Sequence, residues 1–189
     1  MKKFILAVTL VAGLTASSLF AAETMVSFGG TMEFSYWKNI KEFNFADIKN
    51  SWNGKDISYG PEITIFGFSS NFFGIWGSMN YIFQTQKYFD AKGMFDFNLG
   101  PAFRIPLGDI FAFLLGVGID YRIPTNFNNK HMLIGVAGFI GAQFGFGDKV
   151  YLLVNLNGSY DMYDLMVKQK MQYLCIRPSA SIGFRLGNR

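Results

Sequence analysis

The 189 residues are half hydrophobic and 18% aromatic, with 22 Phe and 21 Gly, yet past the amino terminus no apolar run approaches the ~18 to 20 residues of a membrane-crossing helix. The formal charge of +4 includes Lys2 and Lys3; without them 15 basic side chains face 13 acidic ones, and no Lys/Arg cluster points to nucleic acid. A single cysteine, Cys175, excludes an internal disulfide, so an exported chain of this kind must be held together by other means.

The chain opens with Lys2 and Lys3, an uncharged apolar stretch over 4–14, and small residues at Ala16, Ser17, Ser18, Ala21 and Ala22. That order predicts a Sec-type signal peptide over 1–21 and a mature domain over 22–189. No cysteine stands at the junction to accept a lipid anchor.

From there, segment after segment alternates with period two, the signature of strands whose successive side chains point to opposite faces. Over 26–36 the apolar face is Val26, Phe28, Met32, Phe34 and Tyr36, opposed by Ser27, Gly29, Thr31, Glu33 and Ser35. Over 94–105 it is Phe95, Phe97, Leu99, Pro101, Phe103 and Ile105, opposed by Met94, Asp96, Asn98, Gly100, Ala102 and Arg104. The reading recurs eight times and predicts strands over 25–37, 57–69, 73–86, 94–105, 110–123, 132–146, 150–162 and 172–187. Tight turns at 70–72, 106–109 and 147–149 alternate with longer, mostly polar connections at 38–56, 87–93, 124–131 and 163–171. Short turns at one rim and long loops at the other are the pattern of an up-and-down membrane barrel.

A weak repeat runs through the chain: Gly60-Pro61-Glu62-Ile63-Thr64-Ile65, Gly100-Pro101-Ala102-Phe103-Arg104-Ile105 and Arg177-Pro178-Ser179-Ala180-Ser181-Ile182. It falls on the second, fourth and eighth strands. Proline carries no ladder donor, so each position is expected to be a bulge or a local unpairing.

Side-chain volume decides which face points out. Phe111, Phe113, Leu115, Val117, Ile119 and Tyr121 make one face of the fifth strand, and Ala112, Gly116, Gly118, Asp120 and Arg122 the other. Eight strands enclose only enough room for side chains to fill, so the bulky face must lie outside, against lipid, and not inside as in a soluble lipocalin-like barrel. Aromatics near strand ends, Phe28, Tyr36, Tyr59, Tyr81, Phe83, Tyr121, Phe146, Tyr160 and Phe184, then form interfacial girdles.

The inward register collects Glu33, Glu62, Asp96, Asp120 and Asp161 against Arg104, Arg122, Arg177 and Arg185. Buried charges must pair or meet water. The turn at 106–109 brings Asp96 near Asp120 and Arg122, and closure of the first strand on the eighth brings Glu33 near Arg177. A plug of ion pairs is the expected outcome, with a switchable gate as the alternative. Inward Leu114, Leu133, Phe139 and Leu153 mark apolar lumen sections that either pack or line a path.

Chemistry-bearing motifs are sparse. His131, followed by Met132 and Leu133, has no serine beside it and reads as a solvated rim residue rather than a catalytic base. Cys175 lies inward beside Tyr173 and Arg177 as a small buried filler. No metal-ligand spacing, phosphate loop or dinucleotide fingerprint is present, and no cofactor is expected. Phe43, Phe45 and Trp52 stand among polar residues in the 38–56 loop, where a small cluster of the loop's own is the expected outcome and a ligand- or host-contact surface the alternative.

Eight strands, alternating turn and loop lengths and proline-bearing descending strands resemble the small outer-membrane barrels that include the OmpA transmembrane domain, OmpX and OmpW-type proteins. The resemblance spans the whole mature chain and implies an all-β, eight-stranded antiparallel transmembrane barrel in the bacterial outer membrane. It also implies outer-membrane lipids as partners, with the barrel-assembly machinery and periplasmic chaperones during biogenesis. The roles implied are structural or surface-binding through the long loops toward a host molecule, with an OmpW-like channel for small hydrophobic solutes as the alternative and lipid-A modification as a weaker one. The family's C-terminal aromatic is replaced here by Phe184 followed by Arg185, Leu186, Gly187, Asn188 and Arg189.

Overall fold

A computed structural model describes residues 23–38, 57–83, 93–125 and 131–186. The expected signal peptide over 1–21, most of the 38–56 loop and the residues after Leu186 lie outside the described residues. Eight strands follow one another: β1 (Glu23–Lys38), β2 (Ile57–Phe68), β3 (Phe73–Phe83), β4 (Gly93–Leu107), β5 (Phe111–Pro124), β6 (Leu133–Phe146), β7 (Val150–Asp164) and β8 (Gln169–Leu186). Each pairs antiparallel with its chain neighbours, and β8 returns to β1 to close the barrel. The seam at closure runs from Thr24↔Leu186 to Lys38↔Gln172, so no sheet edge is left open along it.

All eight predicted strands are present, and their ends differ by only a few residues. The last connection differs in kind. It is a four-residue turn at 165–168 instead of a long polar loop over 163–171, because β7 continues to Asp164 and pairs there with Gln169. The three tight turns occupy 69–72, 108–110 and 147–149 and define the turn rim; the opposite end is the loop rim.

The proline expectation resolves as unpairing, not bulging. Pro61 stays opposite Gly30 on one side, whereas on the other the β2–β3 ladder jumps from Tyr59↔Phe83 to Glu62↔Asn80 without changing register. The same skip occurs beside Pro101 on the β5 side, from Leu99↔Ile119 to Ala102↔Gly116. Beside Pro178 the β1–β8 ladder passes from Thr31↔Ser179 to Phe34↔Ile176. A missing N–H loses one neighbour's bond and leaves the other ladder intact. Gly60 and Gly100 let the backbones crowd at these gaps: a Cβ at Gly60 would lie 1.7 Å from the Tyr81 carbonyl oxygen, and one at Gly100 1.9 Å from that of Val117. The register shifts are elsewhere, at Ile134/Gly135 and Asp161/Tyr163, near the loop rim.

The faces fall as volume required. Val117, Ile119, Val136, Ile140, Val154, Leu156 and Ile182 are exposed outward, and no charged residue interrupts the outward rows of β5, β6 or of β7 up to Tyr160. Among the expected girdle residues, Phe28, Tyr59, Phe83, Phe146 and Phe184 are exposed and Tyr81, Tyr121 and Tyr160 half-buried. A surface like this is stable against hydrocarbon and aggregates in water. A charge placed in its middle tests the orientation. Val117→Arg, at a position 63% exposed, is expected to cost about 2–4 kcal/mol in lipid vesicles, read from the urea midpoint of the folded, heat-modifiable band.

Candidate functional site

The lumen is filled in layers. Just above the turn rim, Glu23 at the start of β1 reaches Arg104 of β4 at 2.7 Å and Arg185 of β8 at 3.6 Å. Arg104 also donates to the Asn71 carbonyl at 3.2 Å and lies over the Phe68 ring at 4.3 Å. Outside this trio opens a vestibule of about 410 Å³, lined among others by Ser70, Asn71, Asp109, Ala112 and Gln143. Glu23 is absent from the set of lumen charges expected from sequence, although its place in the β1 alternation, two positions before inward Met25, was a usable signal.

The vestibule ends against an aromatic layer. Phe66, Phe68, Trp76, Phe139 and Tyr151 pack with Met25, Leu114 and Leu153 across the bore. Trp76 and Phe139 approach to 4.6 Å between ring centroids, and Phe66 and Phe139 to 5.6 Å. Gly116 makes room for them: a Cβ there would meet Phe139 at 2.2 Å and Trp76 Nε1 at 2.6 Å. Inward Leu114, Phe139 and Leu153 therefore pack as core. Leu133 is buried separately, at the loop-rim end of β6.

Above the rings, Glu62 sits among neutral donors. Ser179 Oγ is 2.8 Å away, Thr64 Oγ1 3.0 Å, Asn155 Nδ2 3.2 Å and Asn157 Nδ2 3.5 Å. Glu62 thus forms its own polar layer, apart from the arginines with which the sequence grouped it.

The charged layer follows, and Arg122 is its hub. Its guanidinium contacts Asp96 at 2.7 Å, Glu33 at 3.2 Å, Asp161 at 3.3 Å and Asp120 at 3.7 Å. It also lies 2.9 Å from Ser159 Oγ and from Cys175 Sγ, and over the Tyr173 ring at 4.7 Å. Arg177 binds Asp96 and stands 3.9 Å from Glu33 and 4.0 Å from Asp120. Tyr173 donates to Glu33 at 2.9 Å, and Asn80 and Asn98 donate to Asp96. Four carboxylates and two guanidiniums, all essentially without solvent exposure, share this layer.

The structure therefore brings Glu33, Asp96, Asp120, Arg122, Asp161 and Arg177 together and places Glu62, Arg104 and Arg185 in two other layers. Asp96 meets Arg122 because the β4–β5 register sets them opposite each other; Asp120 is opposite Asn98. Glu33 leans more on Arg122 than on Arg177, the partner expected from seam closure.

At the loop rim, His131 is partly exposed, as a rim residue is expected to be, and it also holds a buried carboxylate. Its Nδ1 contacts Asp164, whose carboxylate also accepts the backbone N–H of Met166 at 2.9 Å and those of Met132 and Val167 at 3.3 Å. Asp164 closes the β7–β8 turn, and His131 packs onto that turn from the neighbouring connection.

Searches with family models find no match for the chain, and no curated protein matches it. Solved structures do. Neisserial surface protein A superposes with a TM-score of 0.63 at 9% identity, over 85% of this chain and 96% of that one. The N-terminal β-barrel domain of Pseudomonas aeruginosa OprF gives 0.53 at 13% identity, over 88% and 98%. The outer membrane protein AlkL, determined in lipid bilayers, gives 0.54 at 9% identity, over 89% and 92%. The fold is that of the small, integral eight-stranded outer-membrane β-barrels.

Removing the hub strands its acids in a dry layer. Arg122→Leu is expected to lower stability by about 3–5 kcal/mol, and adding Asp96→Asn and Glu33→Gln to recover part of it, measured by urea unfolding in vesicles.

Proposed function

We propose that this chain is an outer-membrane barrel with a closed lumen, which acts through its long loops as a surface-binding and structural element and does not conduct solutes. The observation that carries this reading is the succession of two blocking layers in one bore: the rings around Trp76 and Phe139, then the ion-paired set around Arg122. Opening a path requires moving buried aromatic side chains and breaking several charge-assisted contacts together. A plugged axis leaves the rims and loops as the working surface, and the 38–56 loop carries Phe43, Phe45 and Trp52 for contact with a host molecule or other partner.

The reading contains no catalytic step. Ser159 and Cys175, 3.0 Å apart, are sealed inside the barrel and held against Arg122, out of reach of any lipid or solute substrate. Assembly through periplasmic chaperones and the barrel-assembly machinery belongs to the same proposal.

The alternative, a channel for small or hydrophobic solutes, is supported by the vestibule of about 410 Å³, which admits a small molecule from the turn rim as far as Phe68. Planar-bilayer recording separates the two. The wild-type barrel is expected to show no unitary openings, and deletion of residues 39–56 to abolish attachment of expressing cells to a host-cell monolayer while leaving the bilayer silent. Discrete openings in the wild type overturn the closed lumen, and undiminished attachment overturns the role of the loop.

A further inference from the structure

The β7–β8 turn breaks two habits of this molecule. Turns are built from Gly, Asn, Asp, Ser and Pro, whereas this one reads Leu165-Met166-Val167-Lys168, with the three apolar side chains exposed by 40%, 48% and 40%. Lys168 adopts φ 56°, the one positive φ at a residue other than glycine among those described. The tight turns of the opposite rim place glycines, Gly108 at φ 81° and Gly147 at φ 72°, in that left-handed backbone, which residues with a β-carbon occupy only at a cost.

The strand step from Val150 to Tyr160, at the rise and tilt of barrel strands, covers about 25 Å along the membrane normal, the full height of an apolar band. Tyr160, opposite Leu174, marks the upper edge of the lipid-facing surface. The turn begins a few residues further on, about 10 Å higher, which is headgroup depth. It is also continuous with that surface through exposed Met162 and half-buried Tyr163. Lys168 and Lys170 are exposed there, and the carboxylate of the hairpin end, Asp164, is buried under the turn and bound to His131 and three backbone N–H groups. The turn is thus apolar, cationic, rigidly tied from beneath, and too short to rise away from the bilayer.

We propose that the β7–β8 turn is a binding site for anionic lipid, in which Lys168 and Lys170 hold the headgroup phosphate and Leu165, Met166 and Val167 lie against the lipid below it. The assignment rests on the membrane-embedded reading of the barrel. Lysine at a membrane surface favours an anionic lipid by about fivefold for each residue.

The test titrates the detergent-solubilised barrel with phosphatidylglycerol or phosphatidylcholine and counts bound lipids by native mass spectrometry. The wild type is expected to retain phosphatidylglycerol preferentially. Lys168→Gly, which suits the backbone, is expected to keep the heat-modifiable folded band and lose about fivefold of that preference; Lys168→Gly with Lys170→Gln loses nearly all of it. Equal retention of the two lipids by the wild type overturns the site, as does an unchanged preference in the folded double variant. Displacement of the lipid by inorganic phosphate at equal concentration also overturns it, since the site is then one for a free ion. Failure of the wild type to fold in phosphatidylcholine vesicles is a separate result, and it overturns the membrane reading itself.

Discussion

Hydrocarbon offers no hydrogen bonds to a peptide group, and that constraint governs this molecule. A sheet that faces lipid must close on itself so that every N–H and C=O finds a strand partner. Here closure is made by β1 on β8, and with eight strands it leaves a bore only as wide as the side chains that fill it. Each strand's bulky face is then forced outward and its small, polar and charged face inward.

Confinement explains the form of the interior. Charged groups sent into a dry tube must satisfy one another, and Arg122 does so for five strands at once. It touches Glu33 on β1, Asp96 on β4, its own neighbour Asp120 on β5, Asp161 and Ser159 on β7, and Cys175 and Tyr173 on β8. A planar guanidinium with five donors suits this task better than an ammonium would. Because a strand slipped by one residue turns its carboxylate to the lipid, the layer also opposes register errors. Below it, the Trp76 and Phe139 rings fill the bore by packing, with space released by Gly116.

The two rims are fastened separately. Glu23 ties β1 to β4 and β8 through Arg104 and Arg185 at the turn rim, and Asp164 ties the β7–β8 turn to His131 at the loop rim. Both fastenings use a carboxylate close to a strand end, where the alternation weakens and backbone donors become free. Charge at these ends organises turns and seams; charge at mid-height is paired across the bore.

The period-two alternation determined the strands, the alternation of turn and loop lengths their order, and side-chain volume which face meets lipid, because a side-chain period is local and a volume mismatch between faces survives any register. The same reading determined that Glu33, Glu62, Asp96, Asp120, Asp161 and the four arginines point inward, and the missing proline N–H that three positions disturb a ladder. Only the tertiary structure decided the layers. Which of the inward groups share a height depends on the shear of the closed barrel, a property of all eight strands together. Hence Glu62 rests among amides and hydroxyls instead of arginines, Arg104 and Arg185 stand with Glu23 at the rim, and Arg122 rather than Arg177 becomes the principal partner of Glu33. The short β7–β8 turn was only partly legible. Leu165, Met166 and Val167 carry no turn chemistry of their own; the local signal was Asp164, whose carboxylate accepts the N–H groups of Met166 and Val167 two and three residues on, while its hold on His131 and on the Met132 N–H exists only once the chain has folded.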